Sequence, residues 1–96
     1  MNNVLITRAY LHRLRNEVPF GPLFRQLDWP HKRVGEQLRF VCPVCSESQT
    51  AINPTTNLAR CFRCQRNWNP IDFTMTVTNC EFLAAIAQID ELLPKN

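Results

Sequence analysis

Cys42-Pro43-Val44-Cys45 and Cys61-Phe62-Arg63-Cys64 decide how this chain folds. Together they spell C-x2-C-x15-C-x2-C, a spacing that suits a tetrahedral zinc site. Two residues between thiolates allow one tight turn to present both sulfurs to a single ion. Two such turns, at the ends of neighbouring strands, complete a four-sulfur shell around it. A closed shell leaves no position for water or substrate, so Cys42, Cys45, Cys61 and Cys64 are expected to hold one structural Zn2+. Four thiolates also hold iron in rubredoxin-like proteins, but those are acidic and place Gly after each pair. Here Ser46 and Gln65 follow the pairs in a basic segment, which favours zinc, although softness and geometry alone leave iron open.

Strands flank the ligand turns. Thr50-Ala51-Ile52-Asn53 and Leu58-Ala59-Arg60 read as strands, with Pro54-Thr55-Thr56-Asn57 turning between them, and Gln37 to Val41 leads into the first pair. A zinc ribbon over about residues 37–68 follows. Residues 42–68 carry few large apolar side chains, so the metal is expected to supply most of their cohesion.

Helices are expected on both sides of the ribbon. Thr7 caps a helix reaching toward Val18, with Tyr10, Leu11, Leu14 and Val18 on one face and Arg8, His12 and Arg15 on another. Pro22 opens a second, short helix carrying Leu23, Phe24 and Leu27, which places helices over about residues 7–28. Pro30 to Gly35 reads as a connector. Beyond the ribbon, Asn69 is an N-cap with Pro70 first in the helix, and Trp68 and Phe73 take hydrophobic-staple positions. Thr78 and Glu81 read as a second capping box with Val77 and Phe82 as its staple. The last helix then buries Phe82, Ile86, Ile89 and Leu93 and stops at Pro94, giving helices over about residues 70–93. The fold class is small α+β: a zinc ribbon between helices, in one domain spanning 1–96.

The fifth cysteine, Cys80, reads as a small core residue. His12 and His31 read as surface or connector residues, because four sulfurs already complete the shell. Ninety-six residues suffice for one small domain. No apolar run approaches the roughly 20 residues of a membrane span, and no signal peptide is visible, so a cytoplasmic setting is expected. Clustered thiols there point to metal binding or redox chemistry before disulfides.

Charge is unevenly distributed. The formal net charge is +3, but residues 1–30 carry a net +2, residues 31–68 a net +4 and residues 69–96 a net −3. The basic segment is also the cysteine segment. Nine of the eleven basic residues are Arg, the side chain suited to bidentate phosphate contacts and to stacking on bases.

The order of helix, basic connector, strand into C-P-x-C, hairpin, C-F-x-C, then Ile71-Asp72-Phe73 and Glu81-Phe82-Leu83-Ala84-Ala85-Ile86 resembles the zinc-binding domain of bacterial DNA primases. The likeness covers about residues 8 to 93. That family usually has His where Cys45 stands, a swap that preserves tetrahedral zinc. Its glycine-rich turn after the second pair is Gln65-Arg66-Asn67 here. Its acidic-Lys-Thr-Pro-Ser stretch is Glu47-Ser48-Gln49-Thr50-Ala51. The resemblance implies a module that holds single-stranded template DNA and assists primer synthesis by a separate catalytic primase or polymerase. The chain carries no cluster of carboxylates suited to nucleotidyl transfer, so by itself it is expected to be non-enzymatic. It would then act in trans, as a primase-associated subunit of a mobile element or phage.

Strand alternation suggests the DNA-facing residues. If Cys42 and Cys61 point at the ion, Arg39, Val41, Arg60 and Phe62 face away from it. Arginines beside an exposed aromatic make a platform for single-stranded bases and phosphates. Arg63 and Arg66 lie just beyond, and Lys32 and Arg33 lie in the connector. Trp68 is expected to pack in the core. The competing function is a zinc-ribbon adapter that turns the same face to a replication or transcription protein.

Overall fold

The computed structural model describes residues 6–94. Helix α1 (Arg8–Glu17) is capped by Thr7, whose hydroxyl accepts the Tyr10 N–H at 3.0 Å. It buries Leu14, with Val18 just beyond its end, while Tyr10 and Leu11 pack at the margin. Helix α2 (Phe20–Gln26) begins two residues before the expected Pro22. Pro19 is its N-cap, and Pro22 falls in the first turn, where a backbone N–H has no partner within the helix.

The expected connector is a strand. β1 (His31–Val34) pairs antiparallel with β2 (Gln37–Phe40), with Val34 opposite Gln37 across a two-residue turn. Gly35 opens that turn at φ 62°, a conformation that costs glycine nothing. The ribbon sheet follows as β3 (Thr50–Asn53), β4 (Leu58–Cys61) and β5 (Arg66–Trp68), in the order β3-β4-β5. The third strand occupies part of what the sequence suggests is only a turn.

The two sheets share no backbone ladder. Their strands are bridged by hydrogen bonds from one side chain: the buried Thr50 hydroxyl accepts the Phe40 N–H at 2.9 Å and donates to the Phe40 carbonyl at 2.6 Å. Thr50 thus mimics a strand edge for β2. The near-isosteric Thr50→Val should leave both Phe40 groups unpaired and lower the unfolding free energy by about 2 kcal/mol, measurable by urea titration. Thr50→Ser, which keeps the hydroxyl, should recover most of the loss.

Helix α3 (Pro70–Thr78) starts as the sequence suggests, with Asn69 Oδ1 accepting the Asp72 N–H at 2.8 Å. Trp68 and Phe73 meet edge to face. The next boundary differs from expectation. Thr78 is not a cap but the last residue of α3, its hydroxyl donating to the Thr74 carbonyl. Asn79 ends the helix in the left-handed conformation, φ 55°. Helix α4 (Phe82–Ile89) therefore begins later, with Glu81 as N-cap. Its buried face is Ala85, Ile86 and Ile89, while Phe82 is 40% exposed. A 3-10 turn (Asp90–Leu92) replaces the last expected helical turn, and Leu93 is extended.

The core lies where α2, α3 and both sheets converge. Phe20, Phe24, Phe40, Trp68 and Phe73 are all buried there. The hairpin turn after β3 is fastened to α1 by Asn57, whose Nδ2 donates to the carbonyls of Arg15 and Val18. Asn57 sits at φ 53°, which asparagine tolerates better than most residues. No helix among the described residues is long and apolar enough to cross a membrane.

Candidate metal centre and the basic face

β2 leads into Cys42, β4 ends at Cys61, and the turns after them bring in Cys45 and Cys64. All four sulfurs lie within 4.8 Å of one another. Cys42 Sγ is 3.6 Å from Cys64 Sγ, and Cys45 Sγ is 3.5 Å from Cys61 Sγ. The edges of a tetrahedron with Zn–S of about 2.3 Å are about 3.8 Å, so the four sulfurs fit one zinc ion.

The two ligand turns share a local feature. In the first, the amides of Val44 and Cys45 each lie 3.4 Å from Cys42 Sγ, and Ser46 N–H donates to the Cys42 carbonyl at 3.0 Å. The residue after each pair is left-handed, Ser46 at φ 65° and Gln65 at φ 56°. The turn conformation that glycine adopts most readily is kept here without glycine. Arg63 reaches across to Glu47 at 3.2 Å, tying one turn to the other.

The cluster's electrostatics follow from four thiols in one place. Burial pushes the Cys42 thiol up, against the amide hydrogen bonds that favour its thiolate. At Cys45 the Glu47 amide favours the thiolate, but burial and the neighbouring sulfurs win and the thiol is raised. Cys64 is raised by burial and by its neighbour Cys61. Burial also opposes ionisation of Cys61, yet the amides of Cys64 and Arg63 and the neighbouring thiols bring it down to about 7. Every thiol still protonated must release its proton to the solvent when metal binds, so affinity rises with pH. Well below pH 7 all four are protonated, and apparent zinc affinity should there fall by about four decades per pH unit. Above 7, where Cys61 has ionised, the slope should be shallower. Competition with a chromophoric chelator across pH measures both limbs.

The basic residues do not form one platform. Arg60 and Phe62 lie together on the open face of the ribbon sheet, with the Arg60 guanidinium carbon 5.7 Å from the Phe62 ring centroid. Phe62 is 56% exposed. They line a trough of about 450 Å³ with Ala51, Asn53, Leu58 and Asn67. Asn67 directly faces Arg60 across β4–β5, a placement the sequence hides until β5 is recognised as a strand. Arg39 and Val41 line a different cleft, with Lys32. Arg33 lines a third depression, beside Glu36 and Phe20. Arg63 is paired with Glu47, and Arg66 is exposed on β5 opposite Cys61. Trp68 is buried. His31 is not among the four clustered ligands, and its Nδ1–H donates to the Trp29 carbonyl at 2.6 Å. Cys80 is half-buried in the turn between α3 and α4, with Gln88 Nε2 3.5 Å from its sulfur.

No curated protein matches the chain significantly. The CHC2 zinc finger family matches residues 6–94, almost the whole length, with Cys45 completing the metal shell. From its fold, its four-sulfur centre and that match, the chain belongs to the CHC2 zinc finger family.

Proposed function

We propose that the protein is a zinc-braced module that binds single-stranded DNA and assists primer synthesis by a separate catalytic primase or polymerase. The observation that carries this reading is the Arg60–Phe62 pair on the open sheet face. A guanidinium next to a half-exposed ring offers a base a stacking surface and the adjoining phosphate a cation. The trough around the pair is open and holds no acidic side chain, so a polyanion meets no opposing charge there. Family membership supports the same reading. The metal centre braces the site and takes no part in chemistry, since its shell is filled by protein.

Fluorescence anisotropy with a labelled single strand tests the proposal. Affinity should weaken with salt at a slope of roughly −0.7 per phosphate contact. Phe62→Ala should cost roughly 1–3 kcal/mol of binding, about 5- to 150-fold, by removing one stacked base. Its stability should barely change, because the ring is largely in solvent. A second reading, a protein adapter, draws on Phe82 and Leu83, which stand 40% and 63% exposed on α4. Absence of single-strand binding at low salt by folded, zinc-loaded protein would favour the adapter.

A further inference from the structure

The cleft beside β1–β2 holds two cations in an arrangement that does not stabilise the fold. Lys32 and Arg39 are direct partners across the ladder, so two like charges face each other on one side of the hairpin. Neither is in an ion pair among the described residues. Arg39 Nε is buried and has no hydrogen-bond partner, although a buried donor without a partner is costly to keep. Both side chains line a cleft of about 270 Å³ whose walls are Pro30, Phe40 and Val41 and whose remaining polar residues are His31 and Ser48. His31 is already engaged through Nδ1 with the Trp29 carbonyl. The nearest carboxylate in sequence to Ser48, that of Glu47, is turned toward Arg63. Lys32, Arg39 and Ser48 can all donate hydrogen bonds into the cleft, and no lining residue is acidic.

We infer that this cleft is a phosphate-binding site, with Lys32 and Arg39 gripping one phosphoryl group and Ser48 supplying a hydroxyl donor. An anion between them turns the cross-strand repulsion into attraction and gives the Arg39 Nε–H its acceptor. The cleft shares no lining residue with the Arg60–Phe62 trough. It therefore provides a second, independent point of attachment, and its use by a DNA strand rests on the function proposed above. The phosphate would come from a strand terminus or from an internal phosphodiester.

Arginine Nε–Hε signals of isotope-labelled, zinc-loaded protein give a readout that needs no DNA. Added inorganic phosphate should move the Arg39 signal saturably, while chloride at matched ionic strength should not. Lys32→Ala should weaken that response by roughly tenfold or more, the scale of one lost charge-assisted hydrogen bond, with the remaining amide spectrum unchanged. An Arg39 signal that stays still, or that moves equally in both salts, overturns the site. Oligonucleotides then separate the sources. If a 5′-phosphorylated strand binds more tightly than its 5′-hydroxyl twin and Lys32→Ala erases the difference, the ligand is a terminal phosphate. Equal binding of both strands, weakened alike by Lys32→Ala, assigns a phosphodiester. Phosphate that saturates Arg39 while no strand binds would keep this site and remove the proposed function. Strand binding through Arg60 and Phe62 with Arg39 unmoved would do the reverse.

Discussion

Stripping the zinc should unfold the ribbon outright rather than loosen it. The strands of this region are three or four residues long, and hairpins of that size are marginal in water. Between Cys42 and Trp68 the buried side chains are small, namely Thr50, Ala59 and Cys61, until Trp68 itself is reached. Structural zinc contributes about 10–16 kcal/mol in finger peptides, against about 5–15 kcal/mol for the whole stability of a typical domain. No remaining interaction in this segment approaches that. Chelation should abolish the cooperative thermal transition and the near-ultraviolet dichroism of Trp68, and added zinc should restore both. Cys61→Ser should behave like the chelated protein, because its thiolate enters from the most buried ligand position. An unchanged melting curve in protein shown to be metal-free would refute this account of the fold.

Phe73→Ala should be the most damaging substitution away from the metal, at about 3–5 kcal/mol by denaturant unfolding. The ring is fully buried and lies 5.3 Å from Phe24, 5.6 Å from Phe40, 6.0 Å from Phe20 and 6.1 Å from both Trp29 and Trp68, centroid to centroid. These meetings are edge to face, the arrangement in which ring quadrupoles attract. The five partners come from α2, the segment after it, β2 and β5, so one side chain holds the hairpin, the ribbon and the helices in register. Phe73→Leu should lose less, since much of the volume is kept. Phe62→Ala provides the contrast: the same deletion on the open face should leave stability nearly untouched. A Phe73→Ala protein as stable as the parent would show that the core is organised elsewhere.

Features set by local chemistry can be read from the sequence. The cysteine spacing announces the metal centre, Pro54 to Asn57 marks the turn between β3 and β4, and Asn69-Pro70 marks the start of α3. Features set by pairing partners cannot. β1 is His31-Lys32-Arg33-Val34, too polar to announce a strand, and it forms because β2 supplies the ladder. Gly35 is the available clue, standing where a two-residue hairpin turn needs a left-handed residue. β5 is hidden because its three residues closely follow a ligand turn. Thr78-Asn79-Cys80-Glu81 matches a capping box, but Asn79 in the left-handed conformation makes it a helix end instead. That shift leaves Ile86 and Ile89 buried as expected but makes Phe82 the first residue of α4, where it is 40% exposed. The concentration of basic residues in the middle segment is plain from the sequence, yet alternation along single strands cannot show that Arg39 and Arg60 line separate clefts. That follows from how the two sheets lie beside each other.

The single hydroxyl between Phe40 and Thr50 has a dynamic consequence. The β1–β2 hairpin is attached to the ribbon through that hydroxyl, through the metal that follows β2, and through ring packing in the core. Swinging it away breaks the hydroxyl pair and withdraws the buried Phe40 ring from among Phe24, Trp68 and Phe73, which makes it a sub-global opening. The amide hydrogen of Phe40, held by a side chain rather than by a ladder, is the natural reporter of that swing, and its exchange rate should track the occupancy of the zinc site. Lys32 and Arg39 ride on the moving hairpin while Arg60 and Phe62 stay with the ribbon, so the threonine contact, the metal and the packing of Phe40 together set the span between them.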